Sequence, residues 1–249
     1  MMRPIVQVIL LLGVSWMNSL AAEPEPASAR GLLLVTNKGD QTLSIIDPEE
    51  GRQIATVKES GFTGHEVAAS HDGRLAFVPI YGDSGVGKPG SDGRTLDVID
   101  IATRKIIATI DFGRPVRPHC AVVGPKDGWL YVSTELTNSI DVIDPRTNKI
   151  VAKIPTGQPE SHMIALTRDG KRAYTSNVHV GTVSAIDLAA RRVVAVIPVS
   201  AHAQRIALSV DDRCAFTADQ DKPQLAVIDT ATNEVKTWIP LSTLAYGTA

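Results

Sequence analysis

Three histidines recur at almost the same place in three successive stretches of the chain: Gly64-His65-Glu66-Val67, Pro118-His119-Cys120-Ala121 and Ser161-His162-Met163-Ile164. His65 and His162 precede a turn aspartate by seven residues and His119 by eight, while Arg205, preceded by Gln204 and His202, takes the corresponding place in the next stretch. Imidazole ligates borderline metals and exchanges protons near neutral pH. With Glu66, Glu160, Gln204 and Arg205 close by in sequence, the histidines form a candidate site for a metal ion, ligated by His65, His119 and His162, or for an anionic ligand. The plain alternative is a histidine copied with its repeat, hydrogen-bonding backbone at each strand start. Distance decides between them, because stacked sheets lie about 10 Å apart while two nitrogens on one ion lie roughly 3–4 Å apart.

Other apparent motifs fail on chemistry. Gly82 to Lys88 imitates a phosphate-binding loop, but Pro89 stands where a magnesium-holding hydroxyl belongs and a strand follows instead of a helix. That stretch is better read as an insertion over residues 81–93, a loop offering Tyr81, Asp83 and Lys88 to a ligand or partner. His65 and His71 mimic a zinc-protease pair, yet on a strand they stand about 20 Å apart. No serine lies in a nucleophile elbow, and no Cys-x-x-Cys-His haem attachment occurs. Cys120 is not a partner for His119 on a regular strand, where neighbours face opposite sides.

Positioning these residues is the task of a repeat. Ile46-Asp47, Ile99-Asp100, Ile143-Asp144, Ile186-Asp187 and Ile228-Asp229 are spaced by 53, 44, 43 and 42 residues. The turn pairs Asp72-Gly73, Asp127-Gly128, Asp169-Gly170 and Asp211-Asp212 keep step with them. Such a period marks one supersecondary unit copied in tandem. Within a copy, four short runs rich in Val, Ile and Tyr are each closed by Asp, Asn, Gly or Pro, the pattern of an antiparallel four-stranded meander. Apolar residues on both faces require each sheet to be covered twice, which stacking around an axis achieves. The expected fold is therefore all-β, a β-propeller of about five four-stranded repeats. The Ile-Asp aspartates, each just before a turn, are expected to cap it.

Leu34-Val35-Thr36-Asn37, Leu130-Tyr131-Val132-Ser133 and Ala173-Tyr174-Thr175-Ser176-Asn177 resemble the YVTN family of propeller repeats. Turns such as His71-Asp72-Gly73-Arg74 and Arg168-Asp169-Gly170-Lys171 match that family's turn without its proline. The resemblance covers residues 31–249 and implies a propeller related to lactonases and to the haem-binding propeller of nitrite reductases. It also implies seven blades, so the copies at 31–60, 64–114, 117–158, 160–200 and 202–241, with a sixth opening at 242–249, read as an incomplete seven-bladed propeller. A closed five-bladed ring is the other possibility.

The start of the chain is a separate matter. Met1-Met2-Arg3, an apolar run from Ile5 to Val14 and the small residues Ser19 to Ala22 read as a secretory signal over 1–22, followed by a linker over 23–30. The protein is then exported, periplasmic or extracellular, with no integral membrane segment once the signal is removed. With 25 basic and 27 acidic residues the charge is −2, which offers nucleic acid no electrostatic hold. Cys120 and Cys214 sit at different places in the repeat and are expected to be unpaired. The functional expectation is an exported binding or scaffold propeller with a histidine-lined channel mouth, its partner an unidentified small molecule or protein. No motif demands a cofactor, and the candidate is a metal ion at that mouth. The alternatives are a lactonase-like hydrolase, metal-dependent or not, and a redox-partner propeller, so enzyme activity is left open.

Overall fold

The computed structural model describes residues 31–62, 64–86 and 88–248, so the expected signal and linker lie outside the described residues. Blade one has three strands, β1 (Leu33–Asn37), β2 (Thr42–Asp47) and β3 (Arg52–Lys58). Blade two comprises β4 (Ala68–Ala69), β5 (Leu75–Gly82), β6 (Asp92–Asp100) and β7 (Lys105–Asp111). Blade three comprises β8 (Pro118–Val123), β9 (Leu130–Thr134), β10 (Ser139–Asp144) and β11 (Lys149–Pro155). Blade four comprises β12 (Ser161–Leu166), β13 (Arg172–Asn177), β14 (Thr182–Asp187) and β15 (Arg192–Pro198). Blade five comprises β16 (Ala207–Leu208), β17 (Cys214–Ala218), β18 (Gln224–Asp229) and β19 (Glu234–Pro240). Every sheet is an antiparallel meander in chain order. The molecule is an all-β propeller of about five blades.

The burial pattern explains the stacking. The second and third strands of a blade are buried on both faces, as in β9 and β10, whereas outermost strands such as β7, β11 and β15 alternate exposed and half-buried residues. Four apolar clusters fill the gaps between consecutive blades. Leu43 and Ile45 meet Val78 and Ile99; Phe77 and Leu96 meet Leu130 and Val132; Tyr131 and Ile140 meet Ala173 and Ile186; Tyr174 and Val183 meet Ala215 and Ala226. Among the described residues no cluster joins blade five back to blade one, and Leu33, Ile239 and Leu244 are exposed. Both cysteines are free, Cys120 buried and Cys214 half-buried.

The turns follow the repeat. Gly73, Gly128 and Gly170 have φ of 67°, 68° and 67°, and Asp212 holds the same place at 59°, which is why Asp-Gly recurs there. The Ile-Asp aspartates cap the next turn as expected. The Oδ1 of Asp100 accepts the Thr103 N–H, that of Asp144 the Arg146 N–H, and that of Asp229 the Ala231 and Thr232 N–H groups. These bonds favour the ionised form. They hold Asp100 and Asp229 below the ordinary carboxylate range, and at Asp144 the Arg146 side chain contributes most. A depressed folded-state pKa gives stability that is present above the ordinary aspartate range and lost as pH falls below about 4. The Asp100→Asn/Asp144→Asn/Asp229→Asn triple variant keeps an acceptor at each turn but removes the titration. Thermal melts should show a flatter loss of Tm with falling pH in the triple variant than in the parent.

Candidate functional site

The innermost strands of four blades share one irregularity. Pro118 pairs with Thr134 and Ala121 with Val132, so His119 and Cys120 together oppose Ser133. Ser161 pairs with Asn177 and Ile164 with Thr175, so His162 and Met163 together oppose Ser176. In blade two the bridge Gly64–Ile80 and the pair Ala68–Phe77 leave His65, Glu66 and Val67 against two residues, Val78 and Pro79. In blade five the bridge Ala203–Asp219 and the pair Ala207–Phe216 do the same for Gln204, Arg205 and Ile206. One extra residue is a β-bulge, which re-aims the side chains it carries.

This register corrects the sequence alignment. The position equivalent to His65, His119 and His162 is Gln204, and Arg205 is equivalent to Glu66, Cys120 and Met163. Counting back from Asp212 caused the slip. Asp211 is the true counterpart of Asp72, since it accepts Arg213 N–H and Ser209 Oγ–H just as Asp72 accepts Arg74 N–H and Ser70 Oγ–H.

The three imidazoles converge. Ring centroids of His65 and His119 lie 4.5 Å apart, and those of His119 and His162 lie 3.8 Å apart with the rings stacked at 28°. The second bulge residues meet as well: Arg205 Nη1 donates to Glu66 Oε1 at 2.8 Å and lies 3.7 Å from Met163 Sδ. Burial opposes ionisation of Glu66, but His65 and Arg205 outweigh it and hold that carboxyl below its usual range. Burial, reinforced by His162, His65 and Arg205, holds His119 far below the usual histidine pKa and therefore neutral. Burial likewise pushes the Cys120 thiol up to about 12, so it is no nucleophile at neutral pH.

Two serines tie these strands from blade to blade. Ser133 Oγ accepts the Cys120 N–H at 3.0 Å and donates to the His162 carbonyl at 2.5 Å. Ser176 Oγ accepts the Met163 N–H at 3.4 Å and donates to the Gln204 carbonyl at 2.5 Å. The serine of the Tyr-x-Ser run is thus what fixes the spacing of adjacent bulges.

A carboxylate missed in the sequence completes the centre. Glu135, 1% exposed, begins a single 3-10 turn (Glu135–Thr137) directly after β9. Its Oε1 lies 2.5 Å from His162 Nδ1, and its Oε2 accepts the Tyr81 hydroxyl at 2.6 Å. Tyr81 and Glu135 close the second strands of successive blades: Gly82 N–H and Leu136 N–H, one residue later, bond Phe62 and Val116 carbonyls alike. The available signal was a polar residue at the end of the second strand in two successive blades, Tyr81 and Glu135.

Tyr81 is therefore buried in the centre and does not sit on the rim of the loop as the sequence reading placed it. Asp83 is exposed and accepts the Ser91 N–H, and Lys88 is exposed with its carbonyl taken by Arg117 Nη2 at 2.8 Å. Arg117 also donates from Nε to Asp92 and lies 5.8 Å from the Tyr81 ring centroid. The loop is folded back onto Arg117, with no helix following it. Glu160 lies at the turn entering β12 with φ of 54°, its carbonyl taken by Val178 N–H, and no side-chain contact ties it to the histidines. His202 is exposed and paired with Asp221 at 3.1 Å.

Against this geometry, the Cytochrome D1 heme domain family matches residues 130–248, slightly under half of the chain. That span contains His162, Gln204 and Arg205 but not His65 or His119. A search of curated proteins returned no match. Among solved structures, Kuenenia stuttgartiensis Hydrazine Synthase aligns with a TM-score of 0.72 at 22% identity, covering 86% of this chain and 64% of that one. At that identity the likeness shows the propeller fold, and the chain spans just under two thirds of the neighbour's length. A haem does not fit flat between the histidine rings as they stand. A flat macrocycle between two rings needs about 7 Å, twice the usual carbon contact, and the gaps are 3.8 and 4.5 Å. A cleft of about 460 Å³ lies elsewhere, between blades two and three beside His71, Phe77 and Trp129. No helix among the described residues is long and apolar enough to cross a membrane.

Ser133→Ala would leave a buried N–H and a buried carbonyl without a partner. A loss of about 1–3 kcal/mol is expected in urea unfolding, and the same substitution at Ser176 should behave alike.

Proposed function

We propose that this is an exported binding propeller of YVTN type whose centre captures one transition-metal ion on His65, His119 and His162. One observation carries the reading. Ten buried side-chain polar atoms among the described residues have no hydrogen-bond partner, and five belong to the bulges: His65 Nδ1, both ring nitrogens of His119, Gln204 Oε1 and Arg205 Nε. Buried polar groups are normally satisfied, so such a concentration speaks for a ligand. The sets His65–Glu66–His119 and His119–Glu135–His162 each bring their ligand atoms within 4.8 Å. The carboxylates are engaged, by Arg205 and by Tyr81 with His162, which leaves three imidazoles. The stacked pair does not aim both rings at one point, so capture requires a ring to turn. His119, which approaches the His162 carbonyl but completes a hydrogen bond at neither nitrogen, is the one free to do so.

Three imidazoles suit zinc, copper, nickel or iron better than calcium or magnesium. Such a set leaves a coordination position open, which accords with a redox- or haem-linked role of the kind the cytochrome D1 match supports. The Glu135–His162 pair favours a second reading, a lactone hydrolase with His162 as general base oriented by a carboxylate.

Elemental analysis of the chelated and reloaded protein separates the two. One equivalent of metal per chain is expected in the parent, lost in His119→Ala and in the His65→Ala/His119→Ala/His162→Ala variant. A parent that takes up no zinc, copper, nickel or iron sinks the metal reading, and lactone turnover by that metal-free parent would establish the other.

A further inference from the structure

One buried chain of hydrogen bonds, Tyr81–Glu135–His162, runs into the proposed site from blade two. A carboxylate only accepts hydrogen bonds, so both of its neighbours must donate to it. The Tyr81 hydroxyl does so, donating to Glu135 Oε2 at 2.6 Å. The imidazole must then carry its proton on Nδ1, 2.5 Å from Glu135 Oε1. In the neutral ring Nε2 is then the bare lone pair, on an imidazole that is 1% exposed and stacked on His119.

We infer that Glu135 is a positioning residue: it selects the Nδ1–H tautomer of His162 and presents Nε2 as the donor atom to a borderline transition metal. Tyr81 takes up the second carboxylate oxygen, so the carboxylate holds its place beside the imidazole. Arg117, 8% exposed at its side chain, sits over the Tyr81 ring while its fork holds the loop at Asp92 and Lys88. The chain of contacts therefore runs from the loop to the donor atom. Ligating histidines commonly donate their second nitrogen in this way, and loss of such a partner costs roughly 10–100-fold in metal affinity.

Only the affinity half of this inference rests on the metal-binding reading; the tautomer half stands on its own. Nitrogen-15 NMR of metal-free protein labelled at histidine reads it directly. The parent should show His162 protonated at Nδ1 alone. Glu135→Gln, whose amide oxygen still accepts, should keep that pattern, and Glu135→Ala should lose it. Zinc titration should then show Glu135→Ala weaker by roughly 10–100-fold and Glu135→Gln within a few-fold of the parent. A parent His162 protonated at Nε2 or at both nitrogens overturns the proposal, even if Glu135→Ala does not fold. An unchanged tautomer in folded Glu135→Ala overturns it too. If no variant binds zinc while the tautomers behave as stated, the metal reading fails and Glu135 stands as the positioning residue of a bare imidazole base.

Discussion

Covering both faces of every sheet is the constraint from which the rest of this molecule follows. The second and third strands of each blade carry apolar side chains in both directions, so a blade in isolation would leave one of its faces in water. At about 25 cal/mol per Å² of apolar area, stacking against a neighbour outweighs any arrangement that leaves a face open. Sheets that twist with a fixed hand and stack in series turn about a centre instead of running as a flat pile. Their shortest strands then come closest together. Between blades three and four the inner edges come together until His119 and His162 stack at 3.8 Å.

Narrowing alone would bring backbone to backbone. The one-residue bulge at each inner strand places two side chains per blade in the shared space, as His65 and Glu66 show, with Nδ1 and Oε1 3.8 Å apart on adjacent residues. One set is largely imidazole; the other includes the Glu66–Arg205 pair, which spans blades two and five. The serine bridges convert this local device into a regular spacing, since a single hydroxyl serves the amide of one bulge and the carbonyl of the next. Where Pro79 and Ala218 replace serine, no hydroxyl is present to make that link. The best-tied bulges are those of His119, His162 and Gln204.

The fold was legible because it is written in redundant signals. Asp-Gly marks a position that needs positive φ, Ile-Asp marks a buried residue before a capped turn, and both recur at one period. The site was half legible. The histidines stood out because they repeat, but their contact depended on how far the blades close, which no residue type encodes. The bulge was invisible for a similar reason: it is a mismatch between two strands, and a single strand read alone has no mismatch. Arg205 is aligned with the histidines in sequence for a separate reason, the doubled aspartate Asp211-Asp212 at that turn. Glu135 escaped notice because its role exists only across blades, with Tyr81 on one side and His162 on the other.

Energetics favour a ligand over mere repetition at this centre. A buried donor or acceptor without a partner costs about 1–3 kcal/mol, and the bulge residues carry five such atoms. An apolar side chain of similar size at His119 would remove that cost and pack as well against Tyr81 and His162, whose rings lie 5.3 and 3.8 Å away. A histidine copied merely to bond backbone at a strand start would complete that bond, whereas His119 approaches the His162 carbonyl without completing a hydrogen bond at either nitrogen. His162, by contrast, is satisfied at Nδ1 and held by a buried carboxylate. The two rings thus differ: His162 is fixed in orientation by Glu135, and His119 is left neutral, with no completed hydrogen bond to hold its ring.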